Sequence, residues 1–187
     1  MSRLVLPDLV AGDLRLRPPE DRDLDAITAA CQDPLIQRFT RVPSPYTRAD
    51  AERFVAAAVS GLEAGTSASL VAVDARDDRL LGAIGLSVDD RDFSGELGYW
   101  VVPAERGRGV AVRGSRLLLQ LGFTQFGLGY VHLWAAANNP GSNAVAARLG
   151  FTHEGTARAS FLDGPTGDRT APRGDANLWG LRPGELT

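Results

Sequence analysis

Lysine is absent: all 20 basic residues in this 187-residue sequence are arginine. That removes the P-loop, whose lysine reaches the phosphates, and any Schiff-base or lysine-nucleophile chemistry. Cysteine is almost absent as well. Cys31 alone cannot form an internal disulfide or a cysteine-based metal site, and its Ala-rich context "ITAACQDP" suits a buried structural thiol. Histidine occurs only at His132 and His153, too few for a His-rich metal centre. No apolar run reaches the ~18 residues of a membrane-spanning helix. The opening stretch "MSRLVLPDLVAGD" is broken by Pro7 and Asp8 and lacks a signal-peptide core. Excess positive charge is missing too. A net charge of -3 and scattered arginines argue against nucleic acid as a partner. The expectation is a soluble, cytoplasmic protein with one domain over residues 1–187 and no membrane partner.

What is present is a globular balance, 44% hydrophobic and 23% charged, on a chain long enough to bury a core. "DLRLRP" (13–18) alternates Leu14 and Leu16 with arginines and reads as a first strand. "PEDRDLDAITAACQD" reads as a helix with an acidic start, and "RVPSPY" as a loop beside the substrate. "YTRADAERFVAAAVSGLEAG" carries a capping box from Thr47 to Asp50 and predicts a second helix. Strands 67–74 and 79–88 form a hairpin around "ARDD", and another strand covers 96–102. In that strand Glu96, Gly98, Trp100 and Val102 share one face, and Leu97, Tyr99 and Val101 the other. A helix over about 109–126, a strand over 130–137, the short helix of "NNPGSNAVAARLGF" and a closing pair of strands complete the chain. This order predicts a mixed α/β (α+β) sheet with helices on both faces.

The stretch between the strand and the long helix, "PAERGRGVA" (103–111), concentrates the chemistry. A glycine turn entering a helix presents unpaired N–H groups and the positive end of the helix dipole, which together suit a phosphate. The turn departs from the dinucleotide fingerprint G-x-G-x-x-G because Val112 takes the third glycine position. A plain strand-to-helix turn is the competing reading.

"RGRGVA" (106–111) fits R/Q-x-x-G-x-G/A, the coenzyme A pyrophosphate loop of the GNAT superfamily of N-acetyltransferases. "LRLRP", "ELGYWVVPAERGRGVA", "NNPGSNAVAARLGF", "EGTARASFLDG" and "DANLWGLRPGEL" follow in the order seen in its RimJ/RimL branch, so the chain resembles that branch over nearly its whole length. The resemblance implies a mixed central sheet splayed between its two middle strands, with acetyl-CoA in the cleft and no metal. It places the pantetheine arm on the backbone of Trp100, Val101 and Val102, and the pyrophosphate on Arg106, Gly107, Arg108, Gly109, Val110, Ala111 and Val112. Arg108 would contact the adenosine phosphate or remain solvated. Asn139 would bind the pantetheine, or cap the helix that begins at Pro140 in competition with Asn138.

Many GNAT enzymes carry a tyrosine acid four residues before the "GF" glycine, but this sequence has Ala146 there. The RimJ/RimL branch instead has a serine three residues after the asparagine, and Ser142 fits, implying a hydroxyl donor to the departing thiolate. A first-turn helix serine is the alternative.

Glu96 is the candidate base or amine ligand: a carboxylate half-buried in a strand would be raised towards neutral pKa. The alternative is a solvated glutamate after "FSG". His132 reads as a satisfied histidine, and Glu154 with Arg158 as a structural ion pair. The "DDRD" turn and the loop "DGPTGDRTAPRG" read as solvated, with either able to line an amine pocket. Trp100, Trp134 and Trp179 suit core packing or an interface, a homodimer included.

The expected activity is acetyl transfer from acetyl-CoA to a primary amine, either a protein N-terminus or a small molecule, by direct attack in a ternary complex. The competing class is a non-catalytic acyl-CoA-binding module.

Overall fold

Alternation along the third strand shows how the layers form. In Ser67–Asp74, Ala68, Leu70 and Ala72 enter one hydrophobic cluster, while Val71 and Val73 enter a second on the opposite face. A strand buried on both faces needs helices on both, and the computed structural model, which describes residues 6–187, has that arrangement. The reading of the first residues as lacking a leader falls partly on 1–5, outside the described residues.

The strands are β1 (Leu9–Ala11), β2 (Leu14–Arg17), β3 (Ser67–Asp74), β4 (Leu80–Asp89), β5 (Ser94–Val101), β6 (Tyr130–Ala136), β7 (Thr152–Leu162) and β8 (Arg173–Leu181). They form one sheet in the order β1-β2-β3-β4-β5-β6-β8-β7. Helices α1 (Leu24–Ala30), α2 (Pro34–Phe39) and α3 (Arg48–Ala64) supply Leu24, Ile27, Ile36 and Ala51 to the cluster holding Val71 and Val73. Helices α4 (Val110–Thr124) and α5 (Pro140–Arg148) supply Val110, Leu118, Leu119, Leu121 and Ala146 to the other. Each fully buried leucine in α4 is worth roughly 2 kcal/mol of transfer free energy.

Every neighbouring pair of strands is antiparallel except β5 and β6. That one parallel pair is short: Ser94 faces Tyr130, Gly95 faces Val131 and Glu96 faces His132, and no further rung follows. On its other edge β5 stays paired to β4 as far as Val101. The sheet therefore opens into a wedge beyond the Glu96–His132 rung, bounded by residues 97–101 on one side. The splay between two central strands that the resemblance implied falls between β5 and β6.

Two elements went unseen in the sequence. β1 pairs with β2 around Gly12 and Asp13, and α2 begins at Pro34 with the Asp33 side chain accepting from Leu35 N at 3.1 Å and Ile36 N at 3.0 Å. Asp-Pro is an N-cap followed by a favoured first-turn proline, a signal hidden by the helix's six-residue length.

The expected Glu154–Arg158 ion pair is not what forms. Glu154 on β7 instead accepts from the Tyr130 hydroxyl of β6 at 2.7 Å. The strand between them, β8, has Gly180 at that point. A Cβ there would overlap the Glu154 carboxylate and sit 2.8 Å from the Tyr130 ring, so the bare backbone lets the two meet across it.

A polar cluster pins the sheet edge to the first helical turn. Arg17 donates to Asp23 at 2.7 and 2.8 Å, to Asp78 at 3.0 and 3.2 Å, and to the Pro18 carbonyl at 3.1 Å. These bonds occupy all of its donors, a geometry that only the planar guanidinium fork provides.

Candidate active site

The wedge widens into a cavity of about 1490 Å3 that runs from the glycine turn past the open edge of β5 to the amine-side loops. At the wide end the chain leaves β5, makes one 3-10 turn at Pro103–Glu105 and enters α4. Gly107 and Gly109 both hold φ +76°, the left-handed region that favours glycine. Gly109 is the N-cap of α4, and no side chain caps that helix. The N–H groups of its first turn, including Val110, Ala111 and Val112, therefore point into the cavity with no intrahelical partner. A Cβ on Gly107 would meet nothing within 4 Å. This is a cradle shaped for an anion such as pyrophosphate.

The arginines of the turn face away from that role. Arg108 donates to Glu105 at 2.9 Å, and Arg79 shares the same carboxylate at 2.5 Å. Arg106 donates to Asp33 at 2.5 Å, bridging the turn to the cap of α2. The Arg108 side chain is 66% exposed, so the solvated reading holds together with an ion pair to Glu105.

Midway along the wedge, Asn139 caps α5, its Oδ1 accepting from Ser142 N at 3.1 Å. Asn138 does not cap; it donates to Asp163 at 3.0 Å. Asn143, which the sequence reading overlooked, anchors α5 to the sheet. Its amide donates to the carbonyls of Ala136 (2.9 Å) and Asn139 (2.7 Å), and accepts from Asn177 (2.8 Å) and Trp179 Nε1 (3.0 Å). That bond and the core packing of Trp100 account for two of the three tryptophans, while Trp134 is 41% exposed and lines the cavity.

Ser142 is joined by a second hydroxyl that the sequence reading had only as a strand residue. Tyr99 of β5 stands 2.9 Å from Ser142 Oγ, and burial pushes its phenol up to about 12. Either hydroxyl can donate across that contact, and the Tyr99 phenol also faces the Ser142 carbonyl at 3.4 Å; when the phenol donates to Oγ, the serine proton is free to aim into the wedge. Tyr99 and Ser142 are 43 residues apart, so only the fold brings them together.

At the narrow end, Glu96 and His132 are the last paired residues of β5 and β6. The His132 Nε2 lies 3.8 Å from one Glu96 oxygen, and Arg41 lies 3.6 Å from the other. The expectation of a raised pKa is overturned: the His132 imidazole first, then the Arg41 guanidinium, holds the carboxyl below the usual range despite partial burial. Next to it on the same face, Gly98 has open space where a side chain would stand. His132 is therefore a partner of Glu96 rather than a bystander.

A roof of loops covers this end. Arg38 of α2 grips Asp163 in two bonds of 2.5 and 3.0 Å, and Pro43 bridges to Thr166. Of the two loops read as able to line an amine pocket, "DGPTGDRTAPRG" reaches the cavity through Gly164, Thr166 and Gly167. Cys31 is buried at the end of α1, and burial pushes its thiol up to about 12, which suits the structural role expected of it.

Removing the Ser142 hydroxyl (Ser142→Ala) is expected to slow acetyl-CoA thiol release about a hundredfold, the low end of what loss of one donor to a developing anion costs. Tyr99→Phe, by freeing Ser142 to turn, is expected to give a smaller loss in kcat with KM for acetyl-CoA unchanged. Equal KM increases in both variants would place the two hydroxyls in binding instead.

Residues 13–152 match the acetyltransferase (GNAT) domain family. YdaF of Bacillus subtilis, provisionally named a ribosomal N-acetyltransferase, is 36% identical over 83 residues, which are 44% of this chain and 45% of that protein. The chain thus spans just under half the length of that curated relative. The fold is shared with Mycobacterium smegmatis RimJ in complex with CoA-disulfide (TM-score 0.78, 21% identity, 92% of this chain and 83% of that one). It is shared as well with spermidine N-acetyltransferase of Vibrio cholerae in complex with CoA and spermine (TM-score 0.79, 20% identity, 94% and 98%). The YdaF match is in keeping with the RimJ/RimL branch that the sequence motifs resemble. A sheet split at its one parallel pair, an uncapped glycine turn at the mouth of the split and a domain match over residues 13–152 agree: the chain belongs to the GNAT acetyltransferase family.

Proposed function

We propose that this protein transfers the acetyl group of acetyl-CoA to a primary amine by direct attack within a ternary complex. The observation that carries the reading is the wedge itself, with an anion cradle at its mouth and an ionised carboxylate at its apex. On this reading the main-chain N–H groups from Arg106 to Val112 hold the pyrophosphate. The pantetheine runs along the open edge of β5 at Trp100, Val101 and Val102 like an added strand, with the Val102 N–H itself donated to the Leu81 carbonyl. Asn139 offers its amide N–H2 to the same arm, since capping uses only its oxygen.

Glu96, ionised at neutral pH, draws the substrate ammonium to the apex rather than acting as a base of raised pKa. The amine must still lose its proton to attack. At pH 7 that costs roughly 1.4 kcal/mol for an α-amino group of pKa ~8, and roughly 4.6 kcal/mol for an alkyl amine near 10.4. An α-amine therefore needs little help beyond water beside Glu96. Its lone pair attacks the thioester carbon, the C–S bond breaks, and the nitrogen gives its extra proton to the same water as the amide forms. The thiolate leaves against the Ser142 proton, which Tyr99 keeps aimed.

Acetyl-CoA turnover, read as free-thiol release over free-amine peptides and small amines, tests the assignment. No turnover with any amine, beside thermal stabilisation by acetyl-CoA, would leave a binding module instead. Turnover should rise with pH up to the acceptor's own pKa, and the inflection should move when acceptors of different pKa are compared. An inflection near neutrality that stays put across acceptors and vanishes in Glu96→Gln would restore the base of raised pKa.

A further inference from the structure

The arginines of the cleft are not alike. Arg38 is clamped by Asp163, Arg53 by Asp50 and Arg106 by Asp33. Arg148 stands at the last residue of α5. Arg41 differs from all of these. Its side chain is 88% exposed on the loop between α2 and α3, and its one partner among the described residues is Glu96 at 3.6 Å, the carboxylate that a substrate ammonium needs. His132 holds the other side of Glu96 from a fixed place in β6, so Arg41 is the cation that can leave.

An ammonium that docks on Glu96 therefore meets Arg41 as a like charge and strips it of its only partner. A neutral substrate tail leaves that guanidinium unpaired at the rim. A basic tail adds to the repulsion, and an acidic tail removes it. We propose that the substrate is an amine carrying an acidic group beside its amino end, with the ammonium taking Glu96 and the acidic group taking Arg41. The loop that carries Arg41 is fastened over the cleft by the Pro43–Thr166 bridge, so the freed guanidinium stays beside the apex. The inference rests on the acetyl-transfer reading for the amine, and adds to it the charge of what the amine is attached to.

The test uses the full chain loaded with coenzyme A, which lacks the acetyl group and so reports binding alone. Matched pairs differ in one group: free-amine peptides with Asp or Asn at the second and third positions, the same peptides with Lys, and small amines with a free or amidated carboxyl. The acidic member of each pair should bind about fivefold tighter than its amide, ~1 kcal/mol, and the gap should close as salt approaches ~1 M. Arg41→Ala should bring the pair to equality, and Arg41→Glu should favour the lysine peptides. Equal binding of acid and amide by the unaltered protein overturns the proposal, as does a preference that survives Arg41→Ala. Parallel thiol-release assays with acetyl-CoA keep the two readings apart. Acid preference without turnover overturns acetyl transfer alone, turnover without preference overturns the charge selection alone, and absence of both overturns both.

Discussion

Gly109→Val is expected to weaken acetyl-CoA binding by about a hundredfold, close to 3 kcal/mol, while the protein stays folded. Two effects add. Gly109 sits at φ +76°, where a β-branched residue is strained by roughly 1–2 kcal/mol, so the turn would shift to a different backbone shape. The new side chain would also stand in the space beside the α4 N–H groups, since nothing but Arg113 comes within 4.0 Å of a Cβ there. The anion then loses both close approach and the aligned donors. Titration calorimetry with acetyl-CoA measures the loss, and a circular dichroism melt checks the fold. Arg108→Ala is the informative contrast. Because Arg108 is spent on Glu105, its removal should change affinity far less than the glycine substitution. A larger effect from Arg108 than from Gly109 would shift the cradle from backbone to side chain.

Arg17→Ala is expected to cost about 3 kcal/mol of stability, and to lower Tm by roughly 6–12 °C for a chain of this size. Its side chain is 11% exposed, and its loss strands Asp23, only 5% exposed, with no cation. Arg15 and Arg22 remain on Asp78, so that half of the cluster survives. Arg17→Lys should recover little, because one ammonium cannot span both carboxylates. Arg91→Ala, which breaks a pair on an exposed turn, should leave the melt unchanged. The acid limb carries a signature as well. Burial works against the Asp78 charge, but Arg17 and Arg15 hold its carboxyl below the ordinary range. Its contribution is therefore complete above the unfolded value near ~3.9 and is lost as pH falls through the lower native one. Arg17→Ala should flatten that loss.

The parts legible in the sequence were those written in local chemistry. The capping box from Thr47 to Asp50 and the left-handed Gly65 bound α3, and alternation delimited β3 to the residue. The glycine turn was legible because its conformation is set by its own glycines. Cross-chain partners were not legible. Nothing near Glu96 in sequence says that His132 lies across the last rung or that Arg41 reaches over from a loop, and those two reverse its pKa. Tyr99 looked like one more core residue until α5 brought Ser142 to it. The expected Glu154–Arg158 pair failed for the same reason, since a glycine on an intervening strand decided which neighbour Glu154 would meet.

The Glu96–His132 rung also acts as a ruler. On the acetyl-transfer reading, the pyrophosphate is fixed by the turn at Gly107–Gly109 and the amine by the carboxylate at the apex, with strand residues 97–101 as the extended part of the span between them and the turn at Pro103–Glu105 as the rest. Those five residues extend about 17 Å at ~3.3 Å each. Inserting one residue there would slide the acyl carbon by about one such step relative to the amine, more than the ~0.5 Å tolerance of a reacting pair. On that reading, the place where two strands stop pairing would set the length of cofactor that fits, through backbone spacing rather than a side chain at the cofactor's end.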